Sequence, residues 1–102
     1  MTLVEMRPDT AVRSVRLVWF ATGEGRSCAN HEAMLGQVHV EDADLATLKV
    51  DPRDEPTTIV ENDIIVMPTT LIEVDGREVL RFAGTPTAAA VTGLVERSLK
   101  LG

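Results

Sequence analysis

Hydrophobic positions fall along the chain in blocks that switch between strand and helix spacing. The run VRLVWFA (15–21) is β-branched, aromatic and apolar on both faces except at Arg16, which predicts a central strand buried on two sides. GEG breaks this run, and SCANHEAMLGQV (27–38) then reads as a helix. Ser27 is placed to cap it, Ala33, Met34, Leu35 and Val38 supply apolar positions at helical spacing, and Gly36 weakens it. LATLKV (45–50) predicts a second strand. Pro56 suits the first turn of a short helix and Asn62-Asp63 its end, since both residue types tolerate left-handed backbone. TLIEV (70–74) and REVLRFAG (77–84), joined by Asp75-Gly76, carry a strong hairpin signal. Thr85 as cap and Pro86 at the first helical position then open a last helix, with Val91, Leu94, Val95 and Leu99 along one face.

The element order is βαβα followed by ββα. Strand, helix and strand in succession imply a parallel pair joined by a right-handed crossover. The hairpin adds antiparallel strands on one side. The expected class is α/β: a three-layer sandwich, a mixed sheet with helices on both faces. A chain of 102 residues fits one domain, 1–102. The net charge of −6, with Arg and Lys scattered, argues against nucleic acid and anionic membranes as partners. No apolar run approaches the roughly 20 residues of a membrane helix. The opening MTLVEMRPDT lacks the cationic start and apolar core of a secretion signal. The single cysteine permits no internal disulfide, so a cytoplasmic, reducing setting is expected.

That cysteine, Cys28, follows the glycine-rich loop at the start of the first helix. One reading makes it reactive: the helix dipole and Arg26 favour the thiolate, and His31, one turn on, adds a base, against the opposing charges of Glu24 and Glu32. The other makes it a small apolar residue packed under the helix. His31 by itself reads as a solvated helix residue. Cys28 and His31 form one pair, His39 is isolated and the acids of EDAD (41–44) lack ligand spacing, so no metal is expected, and no cofactor. GEG lacks the Lys-Ser/Thr that would complete a phosphate cradle, and a sharp bend is the simpler account. DPRDE reads as a solvated loop.

The element order and several blocks resemble the thioredoxin family. DIIVMPTTLIEVDGREVLRFAG (63–84) is similar to the stretch in which a short helix ends, a proline follows and an Asp-Gly hairpin closes on a glycine. DEPTTIVEND resembles the helix before it, and VWFAT the strand end ahead of that family's Cys-Gly-Pro-Cys. The resemblance runs from Trp19 to the final helix. It implies an abbreviated N-terminal strand and helix before Val15, and a cis bond at Pro68. It also implies a groove for an extended peptide, with Glu24, Gly25, Arg26 and Ser27 on one side and Met67, Pro68, Thr69 and Gly84 on the other.

Dithiol exchange needs two thiols three residues apart. Laid without gaps, Glu24 and Ser27 fall on those positions. With a one-residue insertion, Gly25 and Cys28 do. The tryptophan before the first cysteine becomes Gly23 or Glu24. The buried aspartate beneath the site falls on Val18, and Lys49, matching a lysine that accompanies it, reads as a strand-end surface residue. The resemblance thus implies a peptide- or protein-binding module without disulfide chemistry. The alternative is a monothiol redox protein using Cys28 with a protein partner or a small thiol as resolver. WFATGEGRSCAN is also similar in loop length to the KaiB clock proteins, a third reading against which the Asp-Gly hairpin stands.

Overall fold

A strand whose second half, Leu17–Phe20, is apolar on both faces must be covered on both sides there. In the computed structural model, which describes residues 13–23 and 25–102, that is how β1 (Arg13–Phe20) is placed. It runs parallel to β2 (Ala43–Val50) and antiparallel to β3 (Thr69–Val74), which pairs in turn with β4 (Arg77–Ala83). The strand order is β2-β1-β3-β4. Between β1 and β2 lies α1 (Arg26–Leu35), between β2 and β3 the short α2 (Thr57–Glu61), and after β4 comes α3 (Ala88–Leu101). The expected order and mixed pairing are those found. Of the segment expected to form an abbreviated N-terminal element, residues 1–12 lie outside the described residues, while Arg13 and Ser14 open β1.

Alternation along β1 sorts its side chains between two apolar clusters. Val15, Leu17 and Trp19 join Met34, Leu35, Ile72, Val74, Val91 and Val95 on the side of α1 and α3. Val18 and Phe20 join Val50, Ile64 and Leu71 on the other, where Ile59 of α2 packs. Helices therefore cover both faces, giving the three-layer sandwich.

Two caps differ from expectation. The N-cap of α1 is Gly25, whose carbonyl takes the Ala29 N–H at 3.1 Å; Ser27 is already inside the first turn. The helix stops at Leu35 with Gly36 as C-cap, so Val38 is buried beyond it and Ala33 is exposed. The N-cap of α3 is Thr87, whose hydroxyl accepts the Ala90 N–H at 3.2 Å. Thr85 does not cap because its hydroxyl is engaged by His31, and Pro86 precedes the helix. The hairpin turn forms as expected: Asp75 and Gly76 both take positive φ, at 51° and 87°.

Candidate functional site

The C-terminal end of β1, the first turn of α1 and the segment ahead of β3 meet around a hollow of about 150 Å³. Trp19, Ala21 and Thr22 line it from the strand end, Ser27, Cys28 and His31 from the helix, and Met67 and Pro68 from the facing segment. The Met67–Pro68 peptide is cis. Cys28 is half-buried, and its thiol donates to the Thr22 carbonyl at 3.5 Å. Among the described residues no cluster of three His, Cys, Asp or Glu could hold a metal.

Four of the residues expected here are in the wall: Ser27, Cys28, Met67 and Pro68. Gly25 and Arg26 are exposed at the helix start and do not line it. Thr69 is buried, its hydroxyl donating to the Val66 carbonyl at 2.6 Å. Gly84 adopts φ 78° and donates its N–H to the Pro68 carbonyl at 2.8 Å, which ties the end of the hairpin to the wall. These two shape the hollow from behind rather than facing it. Glu24 lies outside the described residues.

His31 is the main departure from the sequence reading. Rather than solvated, it is completely buried. Its Nε2 lies 2.9 Å from the Thr70 hydroxyl and its Nδ1 2.9 Å from the Thr85 hydroxyl. The imidazole is tilted against Trp19, ring centroids 4.8 Å apart. A neutral imidazole has one donor and one acceptor nitrogen, and each hydroxyl can play either part, so both nitrogens are satisfied. Burial pushes the imidazole below its ordinary value of 6.5, favouring the neutral form. Its position carries a signal in the sequence: His31, Met34, Leu35 and Val38 fall at i, i+3, i+4 and i+7.

Two further residues occupy places other than those expected. Val18 lies in the cluster on the face away from Cys28, so Leu17 and Trp19, not Val18, stand under the site. Successive residues of a strand face opposite sides of the sheet, so Val18 is turned away from the hollow that Trp19 lines. Lys49 shares the face of Trp19, its pairing partner in β1, and is not a loose surface residue. Its ammonium donates to the Gly23 carbonyl at 2.7 Å and sits 5.6 Å from the Trp19 ring centroid. The Gly23 N–H reaches the Asp51 carboxylate at 3.4 Å, so both backbone polar groups of Gly23 are tied to the end of β2. The Arg53 guanidinium beside Asp51 holds that carboxyl well below the usual carboxylate range.

No protein-family model and no curated protein matches the sequence. Solved structures do match the fold. Chloroplastic thioredoxin z is similar at 24% identity and TM-score 0.70, over 85% of this chain and 80% of its own. A mutant thioredoxin from Halobacterium salinarum is 23% identical at TM-score 0.68, over 82% and 74%. Thioredoxin-2 of the malaria parasite, described as a component of its protein secretion machinery, is 13% identical at TM-score 0.70, over 83% and 84%. The chain has the thioredoxin fold. Within that fold it carries one sulfhydryl, at Cys28. Among the described residues no helix is long and apolar enough to cross a membrane.

Proposed function

We propose that the protein holds an extended segment of a partner protein in the hollow between the first turn of α1 and the Met67–Pro68 segment, and does so without exchanging disulfides. One observation carries this reading: His31, one turn along the helix from Cys28, has both nitrogens engaged by Thr70 and Thr85. It has no free lone pair with which to take a proton from the thiol. The chain has no second cysteine to resolve a mixed disulfide. What remains is a cleft open to solvent with apolar Trp19, Ala21, Pro68 and half-exposed Met67 beside the polar Thr22 and Ser27, features that suit a docked chain. A reducing, cytoplasmic setting fits, since nothing in this activity needs an oxidant.

The test uses S-alkylated insulin B chain, an extended polypeptide with no disulfide to exchange, followed by amide chemical shifts. Binding should shift the amides of Ser27, Cys28 and Met67 and persist in Cys28→Ser. Met67→Asp, which puts a charge into the apolar part of the wall, should weaken it by roughly tenfold or more. Loss of binding in Cys28→Ser would reject the reading in favour of a thiol-dependent activity.

The monothiol reading keeps one observation in its favour, the position of Cys28 in the wall of the hollow. Under that reading Cys28 labels with a thiol reagent much faster than a free cysteine at neutral pH. Under ours it labels no faster.

A further inference from the structure

The segment that carries Met67 to the hollow is itself unusual. Ile65 is 92% exposed, Val66 and Met67 are about half exposed, and Val60 on the preceding helix is 78% exposed. These side chains are not displayed by a loose loop. Ile64 is buried in the second cluster and its N–H bonds to Ile59, the Val66 carbonyl is held by Thr69, and the Pro68 carbonyl by Gly84. Met67 lines the hollow beside Cys28, while Ile65 and Val66 line a second hollow of about 270 Å³ with Phe82 and Ala83, together with Asp63 and the Glu78-bound Arg81. The segment is a fixed apolar ridge between two depressions.

Its surroundings are acidic. Asp54, Glu55, Glu61 and Asp63 lie within the eleven residues that lead to the ridge, and none forms an ion pair within 4 Å among the described residues, though the charge of Arg81 acts on Asp63. Of the nearby cations, Arg53 is bound to Asp51, and Arg81 to Glu78 and to the carbonyls of Asn62 and Asp63. A second copy of this chain would bring the same acids against these, on top of a net charge of −6 each. A chain with apolar residues and its own cations meets neither obstacle.

We infer that the ridge Ile65–Met67 and its acidic approach select a basic, apolar extended segment of a partner protein. This rests on the peptide-holding reading above and adds to it the chemistry of the occupant. Apolar side chains straddle the ridge into the two depressions, and lysine or arginine side chains at alternate positions face Glu61 and Asp63. Exposed pairs of this kind set preference and encounter rate more than total affinity.

Two synthetic peptides of equal length test it, one alternating valine with lysine and one alternating valine with glutamate. Each is titrated into the full chain and followed by amide chemical shifts. The lysine peptide should shift residues 64–68 and bind roughly threefold to tenfold more tightly, a difference that shrinks with added salt. Glu61→Gln with Asp63→Asn should abolish the difference, and Ile65→Ser should weaken both peptides. Equal affinity for both peptides, or a preference that survives the double substitution, overturns this inference and leaves the peptide-holding reading standing. Failure of both peptides and of the insulin B chain to bind removes that reading as well. Shifts at 64–68 that appear on raising protein concentration alone assign the ridge to self-association and overturn the inference.

Discussion

At the scale of single residues, His31 does most to define the site. A buried imidazole with two hydroxyl partners links α1 to β3 through Thr70 and to the approach of α3 through Thr85. Truncation to alanine removes the ring and leaves two hydroxyls unpaired, so His31→Ala should cost about 3 kcal/mol, read from the denaturant midpoint. The pH dependence has a definite sign. The folded state holds the imidazole below 6.5, so it binds fewer protons there than the unfolded chain does. The contribution to stability is complete above the unfolded value and is lost as pH falls from there through the folded value. Stability should decline below about pH 6.5, well before carboxylates titrate near pH 4. His31→Gln, which keeps a donor and an acceptor but cannot titrate, should flatten that decline; an unchanged slope would show that another group causes it. The sequence held the information for this placement in the i, i+3, i+4, i+7 stripe ending at Val38. It was masked by polarity: a histidine enters a core only when partners are present, and those partners, Thr70 and Thr85, are distant in sequence.

At the scale of elements, the parts specified by local chemistry were legible and the parts specified by cross-chain bonds were not. The hairpin is of the first kind. Asp75 and Gly76 both require positive φ, and no neighbour lies within 4 Å of a Cβ added at Gly76. Gly76→Ala should therefore act through the backbone alone and lower stability by about 1 kcal/mol in a thermal or denaturant melt. Asp75 also joins the turn to β1, accepting from the Ser14 N–H at 3.0 Å and the Arg13 guanidinium at 2.7 Å; the Ser14 bond first and Arg13 second depress its carboxyl. The caps of α1 and α3 are of the second kind. Each stretch offers more than one suitable residue, and engagement of the Thr85 hydroxyl by His31 leaves Thr87 to cap α3. The Gly23 loop is likewise set at a distance, by Lys49 and Asp51. Lys49→Met keeps the apolar stem beside Trp19 but loses the donor. Amide exchange over Gly25–Cys28 should accelerate while global stability changes by less than about 1 kcal/mol. Unaltered exchange would mean that the loop is held without the lysine.

At the scale of the whole molecule, strand order and helix placement follow from period and punctuation, but the site depends on which face each strand presents. The resemblance matches Val18 to an acid beneath the site, yet Val18 faces the α2 side. The register with one inserted residue places half-buried Cys28 beside Pro68 and makes Gly25, three residues earlier, the position of the absent partner thiol. Gly25 is the N-cap of α1, with φ −71° and ψ −172°, a conformation open to any residue. A Cβ there meets nothing within 4 Å. Gly25→Cys alone should then be accommodated with a stability change within about 1 kcal/mol. Its thiolate would stand at the positive end of the helix, three residues from Cys28, the spacing that disulfide exchange requires. Mild oxidation should remove both free thiols from the monomer in a thiol count, and dithiothreitol should restore them. The reduced variant should reduce insulin disulfides measurably where the parent does not, and slowly, because Leu17 and Trp19 under the site offer no acid to move the proton. If both thiols stay free under oxidation, the inserted-residue register is wrong and the two positions do not face each other. If the disulfide forms and insulin is not reduced, the geometry stands and the missing proton-transfer group, rather than the missing sulfur, is what separates this site from a reductase.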